Sequence, residues 1–312
     1  MGRLPRPTVT PAAPVEIVHS FPGRSPGDDA FGLLYRPGVL HAWVIDGATS
    51  VSERPNKVLS HLSDAGWFAR ALSGELRRHL RYAELTDGAL AQVLTHLRRR
   101  FIARAGSDLA PHDFPVAAMT YLRISTLDAR YAIDSLEFAD CFHLQTRMPG
   151  SRIPQTAPLP APLPPTSLPK SGPMIERMRE RRAAQVRDLT NTALTIDAAS
   201  VAKGRRSRQI ARPGTEIILG SDGYARIWTE YALQTVSEAV ATTMRAGASR
   251  TLYELREWER ANLGHGRAPK PADDVTVLRL RVGAALSRGS VRRSGGTLTW
   301  RASPNGRVGI GG

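Results

Sequence analysis

Cysteine is nearly absent from this sequence, because Cys141 is the one cysteine among 312 residues. A single thiol excludes an intramolecular disulfide and fits a reducing compartment. The chain also lacks an apolar run of eighteen or more residues, which excludes a span of a bilayer. Residues 1–14 are rich in proline and lack the apolar run of a signal peptide, so we expect a cytoplasmic location.

Acidic residues are fewer than basic residues, with 28 aspartate and glutamate residues against 43 lysine and arginine residues. The formal net charge is therefore +15. Such a surface attracts polyanions, namely nucleic acid, acidic membrane or phosphorylated protein. The basic residues are spread along the chain, and arginine greatly outnumbers lysine, a pattern that a GC-rich genome also produces. The basic segments 177–187 and 203–212 lack interleaved aromatics and any zinc-finger or RNA-recognition signature. Nucleic acid is therefore not the expected partner.

Short apolar runs separated by glycine and proline predict strands, and apolar residues at helical intervals predict helices. The predicted strands are Val15–Ser20, Phe31–Tyr35, Val39–Ile45, Val116–Ile124, Tyr131–Leu136, Cys141–Leu144, Glu216–Leu219 and Val275–Leu280. The predicted helical regions are Asn56–Tyr82, Leu85–Ala105, Met174–Leu189 and Tyr231–Leu263, the last with a break at 247–249. Strands outside a βαβ alternation favour antiparallel sheets with helices packed outside them, an α+β layered fold.

The composition also predicts the domain organisation. Residues 1–14 are expected to be disordered, and residues 15–283 to form one domain with an irregular proline-rich insertion at 149–173. Residues 284–312 are rich in serine, glycine and arginine and are expected to form a disordered basic tail. The charged helix that follows the insertion fits either a lid or docking element for an acidic or phosphorylated substrate, or a solvated helix.

Aspartates recur at the ends of the predicted strands. Asp46 follows Trp43-Val44-Ile45, and Asp222 lies within the segment Leu219-Gly220-Ser221-Asp222-Gly223 that follows another apolar run. Asp273-Asp274 precedes Val275, Asp140 lies between two short strands, and Asp28-Asp29 opens the second strand. Strand ends meet at a rim of a sheet, so these carboxylates are expected to gather there. Gathered carboxylates repel one another unless a cation intervenes. Oxygen ligands without a Cys or His cluster favour magnesium or manganese over zinc.

Other candidate chemistries are weaker. Glycine after Asp46 and Asp222 would allow a sharp turn and leave a carbonyl free to face a cation, although Asp-Gly is also a common turn. The histidines show no ligand spacing, and Ser221 fits a turn residue better than a nucleophile because no G-x-S-x-G motif is present. Cys141 fits a small core residue.

The ordered motifs Asp-Asp-Ala, Val-Ile-Asp-Gly, Ala-Asp-Cys, Leu-Gly-Ser-Asp-Gly and Asp-Asp-Val-Thr-Val-Leu resemble the PPM family of metal-dependent protein phosphatases, the protein phosphatase 2C type. The resemblance covers 15–282 and is that of a divergent, bacterial-type member. It implies a four-layer αββα sandwich of two antiparallel sheets flanked by helices. It also implies a cytoplasmic signalling hydrolase that acts on phosphoserine or phosphothreonine in a phosphorylated protein substrate, with two or three Mg²⁺ or Mn²⁺ ions.

The resemblance implies roles for particular residues. Asp46 would bridge two metal ions and Gly47 would offer its carbonyl to one of them. Asp222 and Asp273 would complete the first metal, Asp28 would serve the second, and Asp140 would serve a weaker third ion. Arg24 would grip phosphate oxygens with its planar fork. A water activated between the metals would attack phosphorus without a covalent enzyme intermediate.

The sequence departs from the family at several positions. Ala48-Thr49-Ser50 follows the first Asp-Gly where many members have a glycine pair, and Ala48 replaces a histidine that some members use as a general acid. Ala139 replaces the usual glycine before Asp140. These departures keep open a pseudophosphatase that binds a phosphorylated partner without turnover. A monomer is expected, although no motif decides the oligomeric state, and a basic nucleic-acid-binding protein is a third, weaker alternative.

Overall fold

The computed structural model describes residues 11–22, 26–146, 171–187, 192–262, 272–284, 289–294 and 296–302. The strands are β1 (Ala12–Ser20), β2 (Ala30–Arg36), β3 (Val39–Gly47), β4 (Val116–Leu127), β5 (Arg130–Phe138), β6 (Phe142–Thr146), β7 (Leu194–Thr195), β8 (Arg205–Ala211), β9 (Glu216–Gly220), β10 (Val275–Val282), β11 (Gly289–Ser294) and β12 (Thr297–Ala302). The helices are α1 (Asp64–Leu80), α2 (Asp87–Ala105), α3 (Pro173–Arg187), α4 (Asp222–Thr229), α5 (Val236–Ala246) and α6 (Ala248–Ala261), with 3-10 turns at Pro111–Asp113 and Ala198–Lys203.

The strands form two antiparallel sheets. The first sheet has the order β2-β3-β4-β5-β8, with the short β7 paired to β4. The second sheet has the order β11-β12-β1-β10-β9-β6. The chain passes from the first sheet to the second in the turn between β5 and β6, and this turn carries Asp140.

Side-chain alternation along the strands explains the layering, because successive residues of a strand face opposite sides of the sheet. In β3, Ala42 and Val44 pack between the two sheets, while Trp43 and Ile45 pack against α1 and α2 on the other face. In β9, Ile217 and Leu219 likewise face the first sheet. Asp46 continues the even-numbered face of β3 and so lies at the rim of the space between the sheets.

Three apolar clusters therefore separate four layers. The first sheet and helices α1 and α2 enclose one cluster, the two sheets enclose a second, and the second sheet and helices α4 to α6 enclose a third. Helix α6 contributes Leu252 and Leu255 to the third cluster, opposite Val277 of β10. The predicted α+β sandwich of two antiparallel sheets flanked by helices is confirmed.

Helix α1 begins eight residues later than the sequence periodicity predicts. Its N-cap is Ser63, whose hydroxyl accepts a hydrogen bond from the Gly66 amide at 2.9 Å. The buried Asp64 carboxylate accepts hydrogen bonds from the Lys57 amide at 2.8 Å and the Val58 amide at 3.2 Å. These bonds hold the preceding segment as a loop, so its apolar residues do not extend the helix.

Two of the predicted domain boundaries are wrong where the structure describes them. Residues 12–14, expected to be disordered, belong to β1, which pairs with β10. Residues 289–294 and 297–302, expected to lie in a disordered tail, form β11 and β12, which extend the second sheet beside β1. The proline-rich part of the insertion lies outside the described residues, and its last residue, Pro173, opens α3.

A buried ion pair fastens this hairpin to the domain. Glu16 of β1 is fully buried and accepts hydrogen bonds from the Ala248 amide at 2.7 Å and the Ser249 amide at 3.1 Å, at the start of α6. Arg301 of β12 donates to the same carboxylate at 3.1 Å through Nε. Glu16 thus caps the N-terminus of α6 and binds Arg301 of the hairpin. No local sequence pattern marks either Glu16 or Arg301.

Within the described ranges, none of the helices is both long enough and apolar enough to cross a membrane.

Candidate active site

Four of the predicted aspartates line one open cleft with a volume of about 230 Å³. Asp46 ends β3, Asp140 lies in the turn from β5 to β6, Asp222 opens α4 after β9, and Asp273 precedes β10. The floor of the cleft includes Ala118 of β4, whose side chain belongs to the cluster between the sheets. The cleft is therefore the rim of the sandwich, where strands from both sheets end.

The carboxyl group of Asp46 lies in an unfavourable environment for a charge. Burial raises its pKa well above the usual range, and the neighbouring carboxylates of Asp222 and Asp29 raise it further. Asp46 is also within hydrogen-bond distance of Asp222, and Asp273 adds a smaller repulsion. Carboxylates held this close favour either a shared proton or a bound cation.

Asp29 is fully buried behind this group. Its Oδ2 accepts hydrogen bonds from the hydroxyls of Ser221 and Thr276, each at 2.8 Å. Its Oδ1 is buried and has no hydrogen-bond partner in the described part of the chain. Burial first and then the Asp274 carboxylate raise its pKa well above the usual range. The sequence pattern marks Asp29 only as part of the Asp28-Asp29 pair, whereas the structure places its carboxyl group near that of Asp46.

Besides Gly47, Asp28 is a predicted metal ligand that does not line the cleft. Its carboxylate accepts a hydrogen bond from the Ser63 hydroxyl at the N-terminus of α1, and its amide donates to the Asp274 carboxylate. The Arg70 guanidinium lies near Asp28 and donates to the Gly27 carbonyl at 2.7 Å. Arg24, predicted to bind phosphate, lies outside the described residues.

The two Asp-Gly pairs are explained by close packing and not by a sharp turn. Neither Gly47 nor Gly223 has a positive φ. A Cβ at Gly47 would lie 2.7 Å from the Asp28 carbonyl oxygen and 2.8 Å from the Ala65 carbonyl oxygen. A Cβ at Gly223 would lie 1.8 Å from the Asp274 carbonyl oxygen. Glycine therefore lets the backbones that carry Asp46 and Asp222 approach their neighbours closely.

Ala139 shows why a glycine is the expected residue before Asp140. Its φ is +54°, in the left-handed region that a Cβ disfavours. The Ala139 amide donates a hydrogen bond to the Thr192 carbonyl at 2.9 Å, which holds the turn. The exposed Asp140 side chain reaches the cleft from this strained turn.

Helix α3 forms the opposite wall of the cleft, with Met178, Arg181, Arg182 and Gln185 on one face. The Arg182 guanidinium is 8% exposed and donates to the carbonyls of Ala48 at 3.4 Å and Thr49 at 3.3 Å, in the loop after Asp46. Burial first and then the adjacent Arg181 lower the pKa of Arg182 to about 10. The charged helix is therefore packed on the cleft and is not a fully solvated helix.

The donor set fits a hard divalent cation, although the side chains do not yet surround one point. No three Asp, Glu, His or Cys side chains of the described residues converge closely enough to hold a metal ion as they stand. Asp46, Asp222 and Asp273 nevertheless offer oxygen donors without thiol or imidazole, as magnesium and manganese prefer. The crowded carboxylates, and the unpartnered Oδ1 of Asp29 beside them, are the charges that a cation would relieve.

The weaker candidates have structural roles. The Ser221 hydroxyl is fully buried, donates to Asp29 and accepts from the Thr276 amide at 3.0 Å, so it does not face the cleft. Cys141 is buried, and burial raises the pKa of its thiol well above the usual range. A thiol held in its neutral form is a poor nucleophile.

Comparison with known proteins finds similarity among solved structures. The serine/threonine phosphatase PstP/Ppp of Mycobacterium tuberculosis is 12% identical, over 88% of this chain and 100% of that chain, with a TM-score of 0.46. The S. agalactiae serine/threonine phosphatase is 13% identical, over 88% and 99% of the chains, with a TM-score of 0.47. RsbX in complex with magnesium is 13% identical, over 86% and 96%, with a TM-score of 0.43.

No family profile matches the sequence, and no curated protein matches it. These likenesses lie at 12–13% identity and concern the fold alone. These proteins describe what the chain is similar to, and the functional conclusion rests on the residues of the cleft.

Proposed function

We propose that this chain is a metal-dependent protein phosphatase of the PPM type that hydrolyses phosphoserine or phosphothreonine in a phosphorylated protein. The observation that carries the proposal is the meeting of Asp46, Asp222 and Asp273 in one cleft. These residues are far apart in the sequence and lie at or beside the ends of different strands. Only the fold brings them together. Burial raises the pKa of Asp46, the neighbouring carboxylates raise it further, and their repulsion would favour a divalent cation.

The roles proposed for the cleft residues follow their positions. Asp46 would bridge two Mg²⁺ or Mn²⁺ ions with the Gly47 carbonyl beside it, Asp222 and Asp273 would hold the first ion, and Asp140 would hold a weaker third. When bound, such ions lower the pKa of a water molecule and neutralise charge on phosphoryl oxygens. Asp28 would serve the second ion, and its Oδ1 accepts a hydrogen bond from Ser63.

Asp29 would act indirectly. Two hydroxyl donors orient its Oδ2, and its buried charge lies close enough to Asp46 to raise the pKa of that carboxyl. We infer that a bound cation would favour the ionised form of Asp29, whose negative potential would then strengthen the attraction for that ion.

A second candidate function is a pseudophosphatase that binds a phosphorylated partner without turnover. It is favoured by the carboxylate of Asp28, which is engaged with Ser63 at the start of α1 and does not line the cleft. It is also favoured by Ala48, which offers no general acid in the loop after Asp46.

The test is manganese-dependent hydrolysis of para-nitrophenyl phosphate by the wild type, by Asp222→Asn and by the control Asp108→Asn. Asp108 is an exposed aspartate in the loop after α2 that does not line the cleft. We expect hydrolysis that requires the metal, a loss of at least about a hundredfold in Asp222→Asn because a metal ligand is removed, and no change in the control.

Thermal unfolding with and without manganese supplies a second readout. Asp222→Asn relieves the repulsion with Asp46, so the metal-free variant should melt about 2–4 °C above the wild type, and its rise on adding manganese should be smaller. A folded wild type that binds manganese without turnover would support the pseudophosphatase. A wild type whose unfolding temperature does not change with manganese would contradict the metal-dependent phosphatase, and phosphopeptide binding by that protein without turnover would support the pseudophosphatase.

A further inference from the structure

Two arginines face the acidic side of the cleft from one helix. Arg181 and Arg182 are adjacent in α3, and both line the cavity that Asp46, Asp222 and Asp273 also line. Met178 and Gln185 complete the same face, at the spacing of three and four residues that places side chains on one side of a helix. The cleft therefore has an acidic floor and a basic wall.

The hydrogen bonds of Arg182 hold α3 against the rest of the domain. It donates to the carbonyls of Ala48 and Thr49 and, at 2.9 Å, to the Gln185 side chain. Neighbouring contacts fix the helix further, because Arg179 donates to the Val51 carbonyl at 3.0 Å and Lys203 donates to the Gln185 carbonyl at 2.9 Å. The backbone of α3 is thereby anchored to the loop that follows Asp46.

Arg181 makes no such hydrogen bonds with the described residues. Its guanidinium is exposed at the cleft and makes no hydrogen bond or ion pair with any described residue. By contrast, Arg179 on the same helix pairs with Glu176 at 2.9 Å and Glu53 at 3.6 Å. The buried charge of Arg182 next to it also lacks a carboxylate partner among the described residues. Two positive groups side by side without a counter-ion attract an anion.

A phosphoryl group matches this arrangement. A guanidinium binds two phosphate oxygens with parallel hydrogen bonds, which an ammonium group cannot do. The aspartates alone would repel a phosphate, so a phosphate held in this cleft needs positive charge on the opposite wall as well as any cation on the floor. Because Arg182 anchors the helix, the backbone of Arg181 is already in place, and binding has to order only the Arg181 side chain.

We propose that Arg181 binds the phosphoryl oxygens of the substrate and that α3 is a substrate-binding wall of the cleft. This inference rests on the proposed function for its substrate. It gives this chain a phosphate-binding arginine on the helix that follows the proline-rich insertion, remote in sequence from Arg24.

The experiment compares the wild type with Arg181→Ala, Arg181→Lys and the matched control Arg177→Ala. Arg177 is an exposed arginine one turn earlier on α3 that does not line the cleft. Two quantities are measured with manganese present: the KM for para-nitrophenyl phosphate and the dissociation constant of inorganic phosphate by calorimetry. The second quantity does not require turnover.

We expect Arg181→Ala to weaken phosphate binding and raise KM by about tenfold, since one charge-assisted contact is lost. Arg181→Lys should recover part of that loss, and Arg177→Ala should match the wild type. Equal phosphate binding by Arg181→Ala and Arg177→Ala would overturn the inference. If the wild type does not hydrolyse the ester but binds phosphate through Arg181, the inference stands and the proposed turnover fails. Far-UV circular dichroism checks that each variant is folded.

Discussion

The buried hydroxyl of Ser221 donates a 2.8 Å hydrogen bond to Oδ2 of Asp29. This bond joins the turn before α4 to the segment that enters β2, and so connects the two sheets beside the cleft. The same hydroxyl accepts from the Thr276 amide at 3.0 Å, at the start of β10. Three distant segments that carry or flank cleft aspartates are thus fixed through one side chain.

Replacing this serine should damage stability more than chemistry. Ser221→Ala leaves the Thr276 amide without an acceptor and Asp29 with one donor fewer, at a cost of about 1–3 kcal/mol in the free energy of unfolding. Urea denaturation measures the loss, and Ser107→Ala, at an exposed position in the loop after α2, is the control. Hydrolysis should stay within about tenfold of the wild type. A folded Ser221→Ala protein with no activity at all would contradict the structural role and revive Ser221 as a nucleophile.

His41 should make the protein sensitive to acid. It is fully buried on β3, its Nδ1 lies 2.7 Å from the Tyr121 hydroxyl, and burial lowers its pKa from 6.5 to about 4. The neighbouring Glu84 opposes this shift, and Arg36 and Arg123 add to it. Because the unfolded histidine binds a proton more readily than the folded one, its stabilisation is complete above pH 6.5 and is lost as the pH falls towards 4.

The expected loss between pH 7 and pH 4.5 is about 2–3 kcal/mol from this residue. Denaturation at both pH values in the wild type and in His41→Gln measures it as the difference in pH dependence. His61→Gln, at an exposed position, is the control. His19, whose pKa burial also lowers to about 4, leaves a residual acid sensitivity in the variant. An identical pH dependence in wild type and His41→Gln would show that His41 is not the sensor.

Ala139→Gly should stabilise the protein. The φ of +54° at Ala139 costs an L-residue about 1–2 kcal/mol, which glycine avoids, while glycine adds entropy to the unfolded chain. The net gain in the free energy of unfolding should be about 0.5–1 kcal/mol, measured in urea. The opposite sign is expected for the control Ala103→Gly in the exposed face of α2, which should lose about 1 kcal/mol. Destabilisation by both substitutions would mean that the turn before Asp140 is not strained.

Glu16 should be among the most sensitive positions outside the cleft. Glu16→Gln leaves Arg301 and the start of α6 facing a neutral amide in a buried site, at a cost of about 3–5 kcal/mol. Arg301→Gln should cost less, about 1–2 kcal/mol, because α6 still satisfies the carboxylate. Urea denaturation gives both losses, and limited proteolysis should cut the β11–β12 hairpin faster in both variants. Arg292→Gln, exposed on β11, is the control. Equal stability of all three variants would contradict the docking role of Glu16.

The sequence by itself predicted eight of the twelve strands in the described residues, and it determined the order of the acidic motifs. Apolar runs such as Trp43-Val44-Ile45 encode a strand through local propensity, and the aspartate that follows marks its end, so the gathering of Asp46, Asp222 and Asp273 at one rim could be predicted. The periodicity of α2 and the neutral, buried character of Cys141 are likewise properties of neighbouring residues or of composition.

The tertiary structure decided what depends on contacts between distant residues. The hydrogen bonds of Asp64 set the start of α1. The β11–β12 hairpin docks through the bond from Arg301 to Glu16, which is far from it in the sequence. Asp28 turns to Ser63 while Asp29 is buried beside Asp46, although the two are adjacent in sequence. The place of α3 on the cleft is set by Arg182 and two backbone carbonyls. Local patterns do not encode such pairings, because each partner is an ordinary residue until the fold brings the other to it.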